Sequence, residues 1–312
     1  MNDQPSTDYR GSGAPSTYVI SITPFAQDRS FDEPAVRGHL RRLASAGIGV
    51  YVGGGGSGEG FAMSVDEHRR LLDIAVDELK GKVPVRAMGI EPRMASQMVD
   101  YVQMAKAAGV DGAQIYSLDQ GHGHQPTSDE IESYFTDILD AIDMPSVIST
   151  HQSVGYLIPV PLLARFVDRY PHVVGINCST GDMRYLIEVI DTVGDRVEVH
   201  VGGPFQALSA LSLGATGYLS SEGNLAPRLC VSVIDNFAKR DLAATFDAYA
   251  KVARLSRALY GRGGIRATKA VLNKLGLPGG YPRRPQLEVP ASSVSELSQF
   301  LTELDLARIE GW

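Results

Sequence analysis

Two hydrophobic patterns alternate along the chain. Short apolar runs, bounded by glycine, proline or polar residues, are separated by longer stretches in which apolar residues recur every three or four positions. The first pattern is typical of strands buried on both faces, and the second is typical of amphipathic helices. The predicted strands are residues 18–22, 49–52, 83–88, 112–116, 146–149, 173–176, 197–201 and 217–220.

Helical stretches separate these strands, and the connections between them are short. The predicted helices are residues 33–46, 65–79, 94–108, 128–141, 159–170, 183–193 and 204–213. Because strands and helices alternate, we expect the strands to run parallel. Eight near-equal units favour a closed sheet, so the predicted fold is an α/β (β/α)8 TIM barrel. A doubly wound open sheet is the alternative.

The remainder of the chain is helical beyond what one closing helix needs. Further helices are predicted at residues 229–239, 242–260, 267–275 and 294–309. We therefore expect a barrel core at 18–228 and a closing helix with a C-terminal helical extension at 229–312. Residues 1–17 are polar and rich in glycine, serine and proline, which predicts a disordered N-terminal tail.

Composition narrows the classes of function. The chain is 44% hydrophobic and 21% charged, as in ordinary globular proteins. A net charge of -7 argues against nucleic-acid binding, which needs a basic surface. No apolar run reaches the roughly 18 residues of a transmembrane helix, so no membrane partner is expected. Cys178 and Cys230 are too few for a disulfide framework, and a cytoplasmic location is expected.

Residues at the predicted strand ends form an ordered series of motifs. In sequence order they are Thr23-Pro24-Phe25, Gly55-Gly56-Ser57-Gly58-Glu59, Gly175-Ile176-Asn177 with Thr180-Gly181-Asp182, Ala215-Thr216-Gly217 with Asn224 and Pro227, and Lys269-Ala270. This series resembles TPF, GTTGE, GIK…SGD, GADGVIS…NxxP and the late KA of the dihydrodipicolinate synthase / N-acetylneuraminate lyase family. The resemblance runs from about residue 18 to residue 290.

The resemblance implies an aldolase-type lyase that acts on a small 2-keto or hydroxy carboxylic acid. It implies that Gly56 and Ser57 bind the substrate carboxylate through hydroxyl and backbone N–H groups. It also implies that Gly202 and Gly203 form a tight loop at the barrel mouth, beside the substrate. A homo-oligomer, either a dimer or a tetramer, is expected on the same basis.

The chain departs from the family pattern at the positions that carry the chemistry. The lysine that forms a Schiff base in the family is Asn177 here, and an amide cannot form an imine. The proton-relaying tyrosine of the fifth strand corresponds to Ser149. No other lysine is predicted at a strand end, and amine catalysis requires a desolvated lysine in the pocket. We therefore expect a mechanism without a lysine imine.

Three histidines follow neighbouring strands, so we expect them to converge on one mouth. His122 and His124 lie in the loop after strand four, and His151 follows strand five. One hypothesis makes His151 or His122 a general acid/base, with Asn177 and Ser149 orienting the substrate or an oxyanion. In the other, His122 and His124 help to hold a divalent metal ion. No other cofactor is expected.

Several alternatives stay open from the sequence. Asn177 is equally explained as a buried amide that satisfies backbone groups. Cys178 should point towards the helices if Asn177 faces the barrel axis, which disfavours it as a nucleophile. Arg86 and Glu91 form either a structural ion pair or a substrate contact. The predicted function is an aldolase- or dehydratase-like lyase. The alternatives are a non-catalytic carboxylate-binding or regulatory relative, and a hydrolase or isomerase on the same barrel.

Overall fold

The computed structural model describes residues 13–312 and contains a closed barrel of eight parallel strands in chain order. The strands are β1 Ser16–Ile20, β2 Gly49–Val52, β3 Val85–Ala87, β4 Gly112–Ile115, β5 Ser146–His151, β6 Val173–Ser179, β7 Glu198–Gly202 and β8 Gly217–Ser220. The prediction of a (β/α)8 barrel is therefore confirmed, and the open-sheet alternative is wrong.

One α-helix follows each strand on the outside of the barrel. The helices are α1 Glu33–Ser45, α2 Val65–Leu79, α3 Ala95–Ala108, α4 Ser128–Leu139, α5 Val160–Arg169, α6 Met183–Val193, α7 Ala207–Leu213 and α8 Pro227–Ala238. Local sequence explains several starts. Ser64 and Glu67 form a capping box on α2, and Thr127 and Glu130 form another on α4.

The N-terminal boundary differs from the prediction. β1 begins at Ser16, inside the segment predicted as tail, because Ser16 and Thr17 pair with Gly217 and Tyr218 of β8 and so close the barrel. Residues 13–15 form no helix or strand, and residues 1–12 lie outside the described residues.

The extension comprises α9 Leu242–Tyr260, α10 Ile265–Lys274, α11 Ala291–Glu303 and α12 Leu306–Glu310. The single helix predicted at its end is two helices, because Asp305 adopts a left-handed φ of 56° that ends α11.

Glu310 of α12 accepts hydrogen bonds from the backbone N–H groups of Arg228 and Leu229 at 3.2 and 2.9 Å. These bonds cap the first turn of α8 and tie the extension to the barrel.

An ion pair crosses the barrel below the strand ends, with Arg86 buried and Glu198 half-buried. Arg86 of β3 lies 2.8 Å from Glu198 of β7, and its guanidinium stacks 4.5 Å from the ring centre of Tyr18. Arg86 is therefore paired across the barrel with Glu198, and it does not form the ion pair with Glu91 that was considered from the sequence. Within residues 13–312, no helix is both long and apolar enough to span a membrane.

Candidate functional site

A cavity of about 720 Å³ opens at the carboxyl ends of the strands. Strands and strand-end loops form its floor and most of its wall, and the extension completes the wall. The extension contributes Leu259, Tyr260, Gly263, Gly264, Ile265, Arg266 and Thr268. The sequence predicted the extension but not its part in the site, because helical periodicity does not indicate which end of a barrel a helix covers.

Strands β5 and β6 supply four polar side chains to the cavity. Ser149 is paired in register with Asn177, and His151 is paired with Ser179. Alternate residues of a strand point to the same side, so all four face the barrel interior. Cys178 lies between them and points outward, as predicted, and burial raises the pKa of its thiol to about 12.

Asn177 forms part of the floor and is 1% exposed. Its Nδ2 donates hydrogen bonds to Gln114 Oε1 at 2.6 Å and to the Tyr51 hydroxyl at 3.3 Å. Its Oδ1 is buried and has no hydrogen-bond partner within the described chain. An unpaired buried acceptor is costly unless a ligand supplies the donor. This favours a substrate-facing role over the purely structural alternative.

His151 is held in a defined orientation at the cavity wall. Its Nδ1 is hydrogen-bonded to Ser153 Oγ, and its Nε2 lies 3.5 Å from Glu91 Oε1. Burial lowers the pKa of His151 from its ordinary value of 6.5, while Glu91 and Asp119 act in the opposite direction. The imidazole is therefore neutral at pH 7 and able to accept a proton. Glu91, which the sequence analysis considered together with Arg86, contacts this histidine instead.

Tyr116 was not identified from the sequence as a site residue. It follows β4, lines the cavity and contacts His151 edge-on, with ring centres 5.7 Å apart. Burial raises the pKa of Tyr116 well above 10, so its hydroxyl stays protonated and can donate a hydrogen bond. The available signal was its place as the last residue of a predicted strand.

Hydroxyl groups line the side of the cavity next to the extension. Ser57 Oγ lies 2.8 Å from Ser221 Oγ, and the Tyr260 hydroxyl donates to Ser221 Oγ at 3.3 Å. Gly56 beside Ser57 is exposed, and a Cβ placed on it would meet nothing within 4 Å. The loop predicted to hold a carboxylate is thus open to the cavity.

Glu222, after β8, is a second residue that sequence analysis missed. It lines the cavity and is 1% exposed. Its Oε2 accepts hydrogen bonds from Ser220 Oγ and the Ser221 N–H, both at 3.1 Å. Burial raises the pKa of this carboxyl above its ordinary value. The strand-end motif GYLSSEGN contained the signal, since an acidic residue stands within an otherwise small and neutral turn.

The structure does not bring the three histidines together. His122 and His124 are exposed on the loop after β4 and do not line the cavity that contains His151. Among residues 13–312, no group of three or more histidine, cysteine, aspartate or glutamate side chains is arranged to hold a metal ion. The expected convergence is therefore wrong, because the long loop carries His122 and His124 away from the strand end.

Gly202 and Gly203 also lie outside the cavity lining. A Cβ placed on Gly202 would approach Ser179 Oγ to 1.9 Å. Gly202 thus leaves space for Ser179, which does line the cavity, and this is its visible role. The expectation that both glycines contact the substrate has no support from their position.

None of the seven lysines, all within residues 13–312, lines the cavity. Lys269 lies nearest in sequence to a lining residue, Thr268, but its Nζ is fully engaged elsewhere. It donates to Glu59 and to the backbone carbonyls of Thr23 and Tyr281 at 2.9 and 3.1 Å. Lys269 and Glu59 are 1% and 0% exposed, so this pair is structural and cannot reach a substrate in the cavity.

Comparison with known proteins agrees with this architecture. The model of the dihydrodipicolinate synthetase family matches residues 16–304. The chain belongs to the dihydrodipicolinate synthetase family. Its relatives include the 4-hydroxy-tetrahydrodipicolinate synthase of Methanopyrus kandleri, which is 28% identical over 91% of this chain and 94% of the relative. The enzyme of the same name from Hyphomonas neptunium is 28% identical over 92% of this chain and 95% of the relative.

Solved structures of similar fold include a putative dihydrodipicolinate synthetase from Pseudomonas aeruginosa. It superposes with a TM-score of 0.86 at 24% identity and covers 94% of this chain and 100% of the neighbour. The dihydrodipicolinate synthase of Aquifex aeolicus superposes with a TM-score of 0.85 at 22% identity, over 94% and 98% of the two chains. The resemblance seen in the strand-end motifs is confirmed, and with it the expectation of a family of lyases.

Proposed function

We propose that this member of the dihydrodipicolinate synthetase family is a lyase that acts without a lysine imine. Its reaction is the aldol cleavage or condensation, or the dehydration, of a small 2-keto or hydroxy carboxylic acid. The observation that carries the proposal is that no lysine lines the cavity, whereas Asn177, which the resemblance matches to the imine lysine, does line it. The related enzymes with the same domain support the class of reaction.

His151 is the proposed base. In cleavage, the neutral imidazole takes the proton of the substrate hydroxyl, the adjacent carbon–carbon bond breaks, and the electron pair passes to the keto group as an enolate. In dehydration, it takes a proton from the carbon next to the keto group, and the imidazolium then returns this proton to the departing hydroxyl, which leaves as water. Glu91 stabilises the imidazolium that forms in either case, since its carboxylate lies 3.5 Å from Nε2.

Neutral donors replace the imine as the group that stabilises negative charge on the substrate. Tyr116 and Ser149 line the cavity with hydroxyl groups, and fixed donors in a water-poor site stabilise a developing oxyanion. Asn177 Oδ1 accepts a hydrogen bond from the substrate hydroxyl and so positions it. Ser57 and the backbone of Gly56 hold the substrate carboxylate.

The sequence also suggested a metal ion, a homo-oligomer and three alternative functions, and the support for these differs. A metal-assisted reaction needs a set of metal ligands, and none is arranged for this among residues 13–312. His122 lies away from the cavity, which favours His151 as the base. A cytoplasmic homo-oligomer of two or four chains belongs to this proposal by resemblance to the family. A non-catalytic carboxylate-binding protein is the second candidate, favoured by the absence of the imine lysine. No feature of the cavity favours a hydrolase or an isomerase.

Borohydride trapping tests the absence of an imine. The protein is incubated with pyruvate and sodium borohydride, and its intact mass is measured; we expect no added mass. A covalent adduct would overturn the proposal. A panel of 2-keto and hydroxy acids is then tested for binding and turnover, with His151→Asn as the comparison. Binding with no turnover of any acid would instead establish the carboxylate-binding protein.

A further inference from the structure

The cavity contains one permanently charged cation among the described residues, Arg266 of α10. It lies on the extension, in the first turn of its helix, and is half-buried. None of the strand-end motifs includes it, and the proposed base and oxyanion donors do not use it. An arginine that lines a substrate cavity without a role in the chemistry is a candidate binding group.

Arg266 has no carboxylate partner within residues 13–312. Its Nε and Nη1 reach only the backbone carbonyls of Gly263 and Leu287, at 3.4 and 3.3 Å. The neighbouring Arg262 is instead paired with Glu296 at 2.9 Å, and Arg283 is paired with Glu67 at 2.5 Å. Arg266 therefore keeps donors available for a carboxylate, which a guanidinium binds through two parallel hydrogen bonds.

A continuous wall connects the carboxylate loop with Arg266. The Ser221 hydroxyl lies 2.8 Å from the hydroxyl of Ser57 and 3.3 Å from the hydroxyl of Tyr260. The ring of Tyr260 lies against Gly264, where a Cβ would be 3.6 Å from it, and Arg266 follows two residues later. The cavity of about 720 Å³ leaves space along this wall beyond a three-carbon acid.

We propose that Arg266 binds a second carboxylate of the substrate, so that the enzyme selects dicarboxylic 2-keto or hydroxy acids. The inference rests on the proposed function, because it takes Ser57 and Gly56 as the site of the first carboxylate. Arg266 is a residue that sets specificity and takes no part in the proton transfers.

The cavity also contains two acidic residues, Glu91 and Glu222. Glu91 lies 3.5 Å from the imidazole of His151 on β5, whereas Arg266 lies on the extension. Burial raises the pKa of Glu222, which favours its neutral form. Among the lining residues of the extension, Arg266 is the charged group that can pair with a second carboxylate.

Two five-carbon acids that differ in one carboxylate test the proposal. Binding of 2-oxoglutarate and of 2-oxopentanoate to the full-length protein is measured by isothermal titration calorimetry. We expect 2-oxoglutarate to bind about tenfold or more tightly, as one charge-assisted, bidentate contact provides. Arg266→Gln should reduce this ratio to about one, and Arg266→Lys should retain part of it because lysine keeps the charge without the planar pair of donors.

Arg257→Gln is the matched control, since Arg257 is an exposed arginine of α9 that does not line the cavity. It should keep the wild-type ratio, which excludes a general effect of net charge. Thermal unfolding of each variant establishes that it is folded. Equal affinities in the wild type, or an unchanged ratio in Arg266→Gln, would overturn the inference and leave the proposed function standing. If neither acid binds the wild type, the inference about Arg266 is overturned, and the panel of 2-keto and hydroxy acids decides the proposed function separately.

Discussion

Asn177 donates its amide N–H to Gln114 across the floor of the barrel, at a distance of 2.6 Å. The bond joins β6 to β4 and orients the amide so that Oδ1 is left without a partner among the described residues. Asn177 thus presents a fixed hydrogen-bond acceptor to the cavity. The contact also satisfies one donor of Asn177 and the acceptor of Gln114 at a nearly fully buried site.

Replacement of Asn177 should reduce turnover while the protein stays folded. Asn177→Ala removes the group that positions the substrate hydroxyl, and we expect kcat to fall by about 10²-fold. Gln114→Ala should cause a smaller loss, because Asn177 remains but is less well oriented. The kcat of each variant is measured by steady-state kinetics, with the acid that the wild type turns over in the panel of 2-keto and hydroxy acids. Gln103→Ala, on the exposed face of α3, is the control, and unchanged kcat in Asn177→Ala would contradict the proposed role.

The activity should have an acidic limit set by His151. Its pKa lies below 6.5 because the ring is buried, so the imidazole is neutral and functional above that pKa. As the pH falls through the pKa of the folded protein, the base becomes protonated and kcat/KM should decline by about tenfold per pH unit. The measurement is a pH profile of kcat/KM between about pH 4.5 and pH 8, which spans the ordinary histidine pKa of about 6.5.

His151→Asn should lose most activity and with it this acidic limit. His172→Asn is the control, because burial also lowers the pKa of His172, yet this residue precedes β6 at the opposite end of the barrel. An acidic limit that persists in a residual activity of His151→Asn would assign the titration to another group.

The buried pair of Lys269 and Glu59 should contribute strongly to stability. Lys269→Met leaves Glu59 buried without its cation, which typically costs about 3–5 kcal/mol of the free energy of unfolding. Chemical denaturation measures this cost. Lys106→Met removes an exposed ion pair with Asp143 and should cost less than about 1 kcal/mol. Similar losses in the two variants would show that the buried pair has no special role.

His200 should make the protein less stable in acid. It is fully buried, and burial lowers its pKa from 6.5 to about 3. Between these values the unfolded chain binds a proton that the folded protein does not bind. Stability therefore falls as the pH decreases through this range, by up to about 1.4 kcal/mol per pH unit for one histidine.

The contribution of His200 is isolated by comparison with a variant. The free energy of unfolding of the wild type and of His200→Gln is measured from about pH 7 to about pH 4, which lies largely between the pKa of histidine in the unfolded chain and that of His200 in the folded protein. The variant should show the shallower dependence on pH. His124→Gln on an exposed loop should keep the wild-type slope, and parallel slopes for His200→Gln and the wild type would exclude this histidine as a source.

The barrel was predictable because its pattern is local. Apolar runs and amphipathic stretches alternate with the periods of strands and helices, and β2, β8, α2, α6 and α9 begin and end where the sequence placed them. The outward orientation of Cys178 was also predictable, because successive side chains of a strand point to opposite faces. Errors occurred at strand and helix ends, where tertiary contacts decide: Ser16 pairs with β8, and Asp305 interrupts the last predicted helix.

The site was predictable only where a strand carries it. Ser149, His151 and Asn177 lie on two adjacent strands, so their meeting follows from register. His122 and His124 lie in a loop, whose path does not follow from periodicity, and the structure places them outside the cavity.

The sequence by itself determined the barrel, the family and the absence of a lysine at the sixth strand, because each depends on residue type and local order along the chain. Only the tertiary structure decided that Glu91 faces His151, that Tyr116 and Glu222 belong to the site, and that Arg266 completes its wall. The physical reason is that these groups come from separate elements. Their distances depend on how the barrel closes and how the extension packs across its mouth.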